Sequence, residues 1–167
     1  MQRRDYLRAG GVGVAALAGC TGSDAGGDAT ATPGGNELEA LDAAGSEAGV
    51  VTVLPEGEVA LLDFWATWCA PCEPQMAELA AVREAFPDLH LVSITNEEDR
   101  GAVRAFWEEH DASWPVAVDT ALRTNERFGV TRVPTLLVFD AEGTVTWEHV
   151  GLAAADTIIG ELEAVGA

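Results

Sequence analysis

From Val50 to the C-terminus, short β-prone runs alternate with stretches of helical period. Val50–Leu54 is rich in β-branched residues, and Pro55-Glu56-Gly57-Glu58 turns the chain into Val59–Ala66, which is apolar except at Asp63. Two strands joined by so short a turn can pair as a hairpin. A period of about 3.6 residues then takes over from Pro71 to about Phe86, with Met76, Leu79, Ala80, Val82 and Phe86 on one face. Leu89–Thr95 reads as a mostly apolar strand. Asn96-Glu97-Glu98-Asp99 opens a second helix carrying Val103, Phe106 and Trp107 on one side. Pro115–Val118 predicts a short strand, Thr120–Phe128 a short helix capped by Asp119, and Thr135–Phe139 a further strand. Asp140-Ala141-Glu142-Gly143 is a hairpin turn into Thr144–Val150, and Ala154–Val165 closes the chain as a helix with Ile158, Ile159, Leu162 and Val165 in one stripe. Strands alternating with helices, then a hairpin and a terminal helix, predict an α/β domain with a mixed central sheet and helices on both faces.

Upstream of Glu37 the pattern disappears. Residues 20–36 are mostly Gly, Ala, Thr and Asp, with almost nothing to bury, and read as a flexible tether. Residues 37–167 form one domain with one core. At the N-terminus, Arg3, Arg4 and Arg8 precede an apolar segment, Ala9–Gly19, that is too short to span a bilayer and reads as the hydrophobic part of an export signal covering residues 1–19. Arg3-Arg4-Asp5-Tyr6-Leu7-Arg8 resembles the Tat signal of proteins exported folded. Leu17-Ala18-Gly19-Cys20 resembles a lipobox, which makes Cys20 a lipidation site and the new N-terminus. The expected location is the extracytoplasmic face of the cell membrane, held by a lipid anchor.

Charge adds the setting. The chain has a formal net charge of −19, and its nine basic residues are all arginines. Removal of residues 1–19 takes away three arginines and one aspartate, leaving about −21. Such a surface repels nucleic acid and anionic lipid. High acidity without lysine resembles the proteins of extreme halophiles, whose concentrated salt screens this self-repulsion.

The candidate chemistry lies directly after the apolar strand, at Cys69-Ala70-Pro71-Cys72. With Cys20 lipidated, Cys69 and Cys72 are the one remaining pair, in a compartment that permits a disulfide. A bridge three residues long closes almost no loop and adds little stability. Two cysteines also supply only half of a tetrahedral zinc shell, and no metal site is expected; His90, His110 and His149 are scattered and read as surface or strand-end residues. Dithiol redox chemistry, with the Cys69–Cys72 disulfide itself as the redox group and no further cofactor, is the remaining reading.

Leu62–Cys72, the later Val133-Pro134-Thr135 and the order of elements are similar to thioredoxin-fold proteins. The long stretch between Leu89 and Val130, with its extra strand and helix, resembles the membrane-anchored TlpA/ResA-like thiol-disulfide oxidoreductases. The resemblance covers residues 45–167. It implies a thiol-disulfide oxidoreductase. The same motif serves reductants and oxidants, and the absence of a histidine between the cysteines favours a reductant of extracytoplasmic protein disulfides, such as those of apocytochromes in cytochrome c maturation, fed by a transmembrane dithiol carrier. Cys69 at a helix N-terminus is the expected nucleophile, its thiolate favoured by unpaired backbone N–H groups, and Cys72 the resolving thiol. Ala70 and Pro71 tune the pair. Asp63, a carboxylate in an apolar run, is expected to have a raised pKa, and the resemblance places it behind Cys72 as a proton acceptor. Val133-Pro134 matches the family's cis-proline loop, which offers the Val133 backbone to substrate. Trp68 is expected beside the substrate groove, and Trp65 in the core. Glu73 and Glu78 read as solvated helix face, and Pro74 as a slight distortion of the first turn. Two other thioredoxin-fold chemistries fit the motif less well: a copper chaperone of the Sco type, which uses cysteines spaced by three residues, and a peroxiredoxin-like peroxide reductase, which needs an isolated cysteine.

Overall fold

The structure, a computed structural model, describes residues 36–167. The export signal and Cys20 lie outside the described residues, as does the tether up to residue 35. Eleven elements follow: β1 (Glu37–Ala40), β2 (Gly49–Thr52), β3 (Ala60–Trp65), α1 (Cys72–Ala85), β4 (His90–Thr95), α2 (Arg100–Glu109), β5 (Val116–Val118), α3 (Arg123–Phe128), β6 (Thr135–Phe139), β7 (Val145–Val150) and α4 (Ala155–Ala164). They build one seven-stranded mixed sheet in the order β2-β1-β5-β4-β3-β6-β7. Strands β3, β4 and β5 run parallel; β6 and β7 are antiparallel to their neighbours on one side, β1 and β2 on the other.

The position of β3 explains its composition. It lies between β4 and β6, and all six of its residues are buried because both faces of the sheet are covered. Leu61 and Trp65 join the cluster built on Met76, Leu79 and Val82 of α1, Val103 and Trp107 of α2, and Ile158 and Leu162 of α4. Ala60, Leu62 and Phe64 face the other way, toward Val92, Ile94, Leu137 and Phe139, with Phe128 of α3 packed against them. The steps β3-α1-β4 and β4-α2-β5 move the same way along the sheet, so right-handed crossovers put α1 and α2 on one face.

Several sequence expectations change. The expected hairpin of Val50–Leu54 with Val59–Ala66 does not form: β2 pairs with β1, from Glu37 opposite Thr52 to Ala40 opposite Gly49. A strand buried on both faces needs a ladder on each side, which β4 and β6 supply; the half-exposed β2 belongs at an edge. Strand β1 was not expected, although its Leu38 and Ala40 alternate inward. The helix expected over Thr120–Phe128 starts at Arg123, after Leu122 in a left-handed conformation (φ 57°). Asp119 still caps it from a distance, accepting hydrogen bonds from the Thr124 amide (2.7 Å) and hydroxyl (2.6 Å). Pro74 causes no break in α1, because in the first turn its missing N–H has no partner to lose. Asn36 is bonded to the domain, with its side-chain amide on the Leu54 backbone and its backbone carbonyl accepting from the Val53 amide.

Candidate active site

The loop from β3 to α1 carries the cysteines. Cys69 and Cys72 form a disulfide with Cα atoms 5.3 Å apart. The helix starts at Cys72, with Pro71 as its N-cap and Cys69 just before it. The N-cap residue offers α1 no side-chain cap, and the first turn of a helix carries N–H groups without intrahelical partners, next in the chain to Cys69. Proline suits this position because it has no N–H to satisfy. The Cys72 amide donates to the Cys69 carbonyl (3.0 Å) and the Cys69 amide to the Ala66 carbonyl (3.2 Å), which folds the motif into a tight turn. Cys72 is fully buried and Cys69 nearly so, at 5 % exposure, while Ala70 and Pro71 are exposed.

Trp68 is 74 % exposed, an unusual state for an indole, and lines a groove of about 550 Å³. Leu122, Asn125, Arg132, Val133 and Glu97 are among the other lining residues. The Val133–Pro134 peptide is cis, as the family resemblance implied, and Val133 packs against the cluster holding both cysteines. Trp65 is core, tilted against Phe106 and Trp107.

Asp63 is completely buried on the same face of β3 as Leu61 and Trp65, the face that α1 covers. Burial pushes its pKa from 3.8 up to about 7, against the opposing effect of a hydrogen bond from Ser93. Ser93 Oγ donates to Oδ2 at 2.7 Å, and Oδ1 has no partner. Trp114 Nε1 donates to Ser93 Oγ at 2.9 Å.

Several supporting residues were not visible in the sequence. Glu97, read as part of a helix start, accepts from the Thr67 amide and hydroxyl, both at 2.7 Å, and so fixes the residue before Trp68. Gln75, buried in α1, makes a two-way bond to Ala153, accepting from its amide (2.8 Å) and donating to its carbonyl (3.2 Å). Glu78 is not solvated helix face: it accepts from the Ala155 amide at 2.6 Å and caps α4, which has no side-chain cap of its own. Glu73 is exposed, as expected. His90 lies at the start of β4, its Nε2 near the Thr52 and Val53 carbonyls, with burial lowering its pKa; His149 Nε2 lies 3.1 Å from the Leu152 carbonyl, and His110 is tilted against Phe106.

Comparison with known proteins is consistent with this geometry. Residues 34–161 match the family described as Redoxin. The thioredoxin-like protein YneN of Bacillus subtilis is 32 % identical over 58 % of this chain and 58 % of its own length. A thiol-disulfide oxidoreductase ResA of Bacillus cereus is 26 % identical over 66 % of this chain and 65 % of its own. The chain thus spans about three-fifths of the length of these relatives. A secreted Mycobacterium tuberculosis disulfide oxidoreductase shares the fold, with a TM-score of 0.67 and 23 % identity, covering 77 % of this chain and 94 % of that one.

Proposed function

Because the chain belongs to the Redoxin family, and within it is of the TlpA/ResA-like kind with a thioredoxin-like fold, we propose that it is a thiol-disulfide oxidoreductase that reduces disulfides of proteins outside the cytoplasm. The observation that carries this reading is the Cys69–Cys72 disulfide at the start of α1, directly after Trp68, which together with Val133 lines the groove.

In the reduced enzyme the Cys69 thiolate attacks one sulfur of a client disulfide. The client S–S bond breaks, a mixed disulfide forms, and the second client sulfur leaves as a thiolate. Cys72 then gives its proton to the Asp63 carboxylate and attacks the Cys69 sulfur. The mixed disulfide breaks, the Cys69–Cys72 bond forms, and the first client sulfur also leaves as a thiolate. The client carries away the two electrons as two thiolates that take protons from solvent, while Asp63 holds the proton from Cys72. Trp68 and the Val133-Pro134 segment hold the client strand, and Ala70 and Pro71 set the balance between thiolate and disulfide. A transmembrane dithiol carrier returns the electrons. Lipidation of Cys20 after Tat export keeps the domain at the membrane within reach of that carrier, in a salt-rich host, and apocytochromes in cytochrome c maturation are the proposed clients. Names of relatives support the reaction type: ResA is called a thiol-disulfide oxidoreductase.

The test is the redox potential of the Cys69–Cys72 pair in molar salt. A value below about −250 mV supports a reductase, and one near about −120 mV makes the protein a disulfide donor. No reversible couple would remove the reading altogether. In single-turnover assays with a disulfide-bearing protein, Cys69→Ser abolishes reaction, whereas Cys72→Ser accumulates the mixed disulfide, seen as a mass adduct on Cys69.

A further inference from the structure

We propose that Ser93 and Trp114 are positioning residues which fix one oxygen of Asp63 and leave the other free to take the resolving thiol's proton. The inference rests on the reading of Asp63 as proton acceptor given above. Asp63 and Ser93 are register partners on the parallel strands β3 and β4, so their side chains lie side by side on one face. Trp114, on the segment between α2 and β5, reaches the same point, and the Ser93 amide is held by the Pro115 carbonyl at 3.0 Å. All three side chains are fully buried.

The direction of this chain is fixed by chemistry. An indole nitrogen only donates, so Trp114 Nε1 gives its hydrogen to Ser93 Oγ. The hydroxyl has one hydrogen, and in this buried site Asp63 Oδ2 is its acceptor. Turning that hydrogen elsewhere would leave a buried donor unpaired. Oδ2 is therefore committed as an acceptor, and the proton of the neutral acid resides on Oδ1, the oxygen without a partner. The groups around Asp63 leave few competitors. Cys72 is the titratable group on the inward face of α1; Leu136 of β6 stands opposite Asp63, and Trp107 of α2 belongs to the same cluster. Burial and the Ser93 hydrogen bond are the influences on its titration, with no charged side chain contributing.

Removing the hydroxyl withdraws a bond that favours the carboxylate. In the full-length reduced protein, Ser93→Ala raises the Asp63 midpoint, read from its labelled carboxyl carbon by NMR, by about one to two pH units. The pH profile of mixed-disulfide resolution moves up by the same amount, so that resolution at pH 7 slows roughly fivefold or more. Ser93→Thr keeps the hydroxyl and restores both values. Trp114→Phe shifts both in the same direction by less, because the hydroxyl remains but loses its orientation. An Asp63 midpoint unchanged in a folded Ser93→Ala protein overturns the inference. A midpoint that moves while the resolution profile stays put overturns instead the assignment of Asp63 as acceptor, and absence of a reversible Cys69–Cys72 couple overturns the oxidoreductase reading itself.

Discussion

Asp63 stays protonated to about pH 7 in the fold, whereas in the unfolded chain it ionises near 3.8. Below the lower value both states bind the proton, and its stabilising effect is fully present. Between about pH 4 and pH 7 the unfolded state sheds the proton and the folded state keeps it, so stability falls as pH rises and levels off above about 7. A gap of this size corresponds to a loss on the order of 4 kcal/mol. Asp63→Asn is expected to remove that slope, measured by urea unfolding from pH 4 to pH 8, and to slow resolution without preventing mixed-disulfide formation. A slope that survives in Asp63→Asn would place the titrating group elsewhere. In the sequence, the apolar neighbours of Asp63 already announced an abnormal carboxyl. The hydroxyl and indole beside it were silent, since Ser93 lies 30 residues away and Trp114 a further 21.

Helix α1 carries Cys72 at its first position and anchors the segment after β7 through Gln75 and Glu78. These bonds join α1 to the start of α4, against which it also packs in the core. Gln75→Ala leaves the buried amide and carbonyl of Ala153 without their side-chain partner, with an expected loss of about 2 kcal/mol. Glu78→Ala removes a helix cap and is expected to lose about 1 kcal/mol. Both are read from urea midpoints at constant slope, and equal stabilities for the two variants and the parent would show that the clamp is replaced by solvent. Helical period located α1 and its buried face through Met76, Leu79 and Val82. It could not reveal that Gln75, a polar residue on that face, was satisfied 78 residues away.

At the scale of the molecule, charge dominates. A net charge of −19 on 167 residues is self-repelling, and exposed ion pairs such as Arg100–Glu39, at 2.6 Å, offset little of it. The screening length shrinks from about 10 Å at 0.1 M salt to about 3 Å at 1 M. The melting temperature is therefore expected to rise steeply over that interval in potassium chloride, a salt chosen because sulfate would also stabilise by exclusion from the surface. A flat response would remove the argument for a salt-adapted host. No helix of the described residues is long and apolar enough to cross a membrane.

The α/β class, the order of the helices, the cysteine pair and its position after a buried strand were legible in the residues alone. Each of these depends on residues near one another in the chain: apolar period, turn residues and the spacing of two cysteines. Tertiary structure decided that β2 joins β1 rather than β3, that Glu97 holds Thr67, and that Trp114 reaches Asp63 through Ser93. Those pairings depend on which strands become neighbours and in what register. Burial on both faces made β3 central, and the parallel register of β4 then set Ser93 beside Asp63, a relation that local periodicity does not encode.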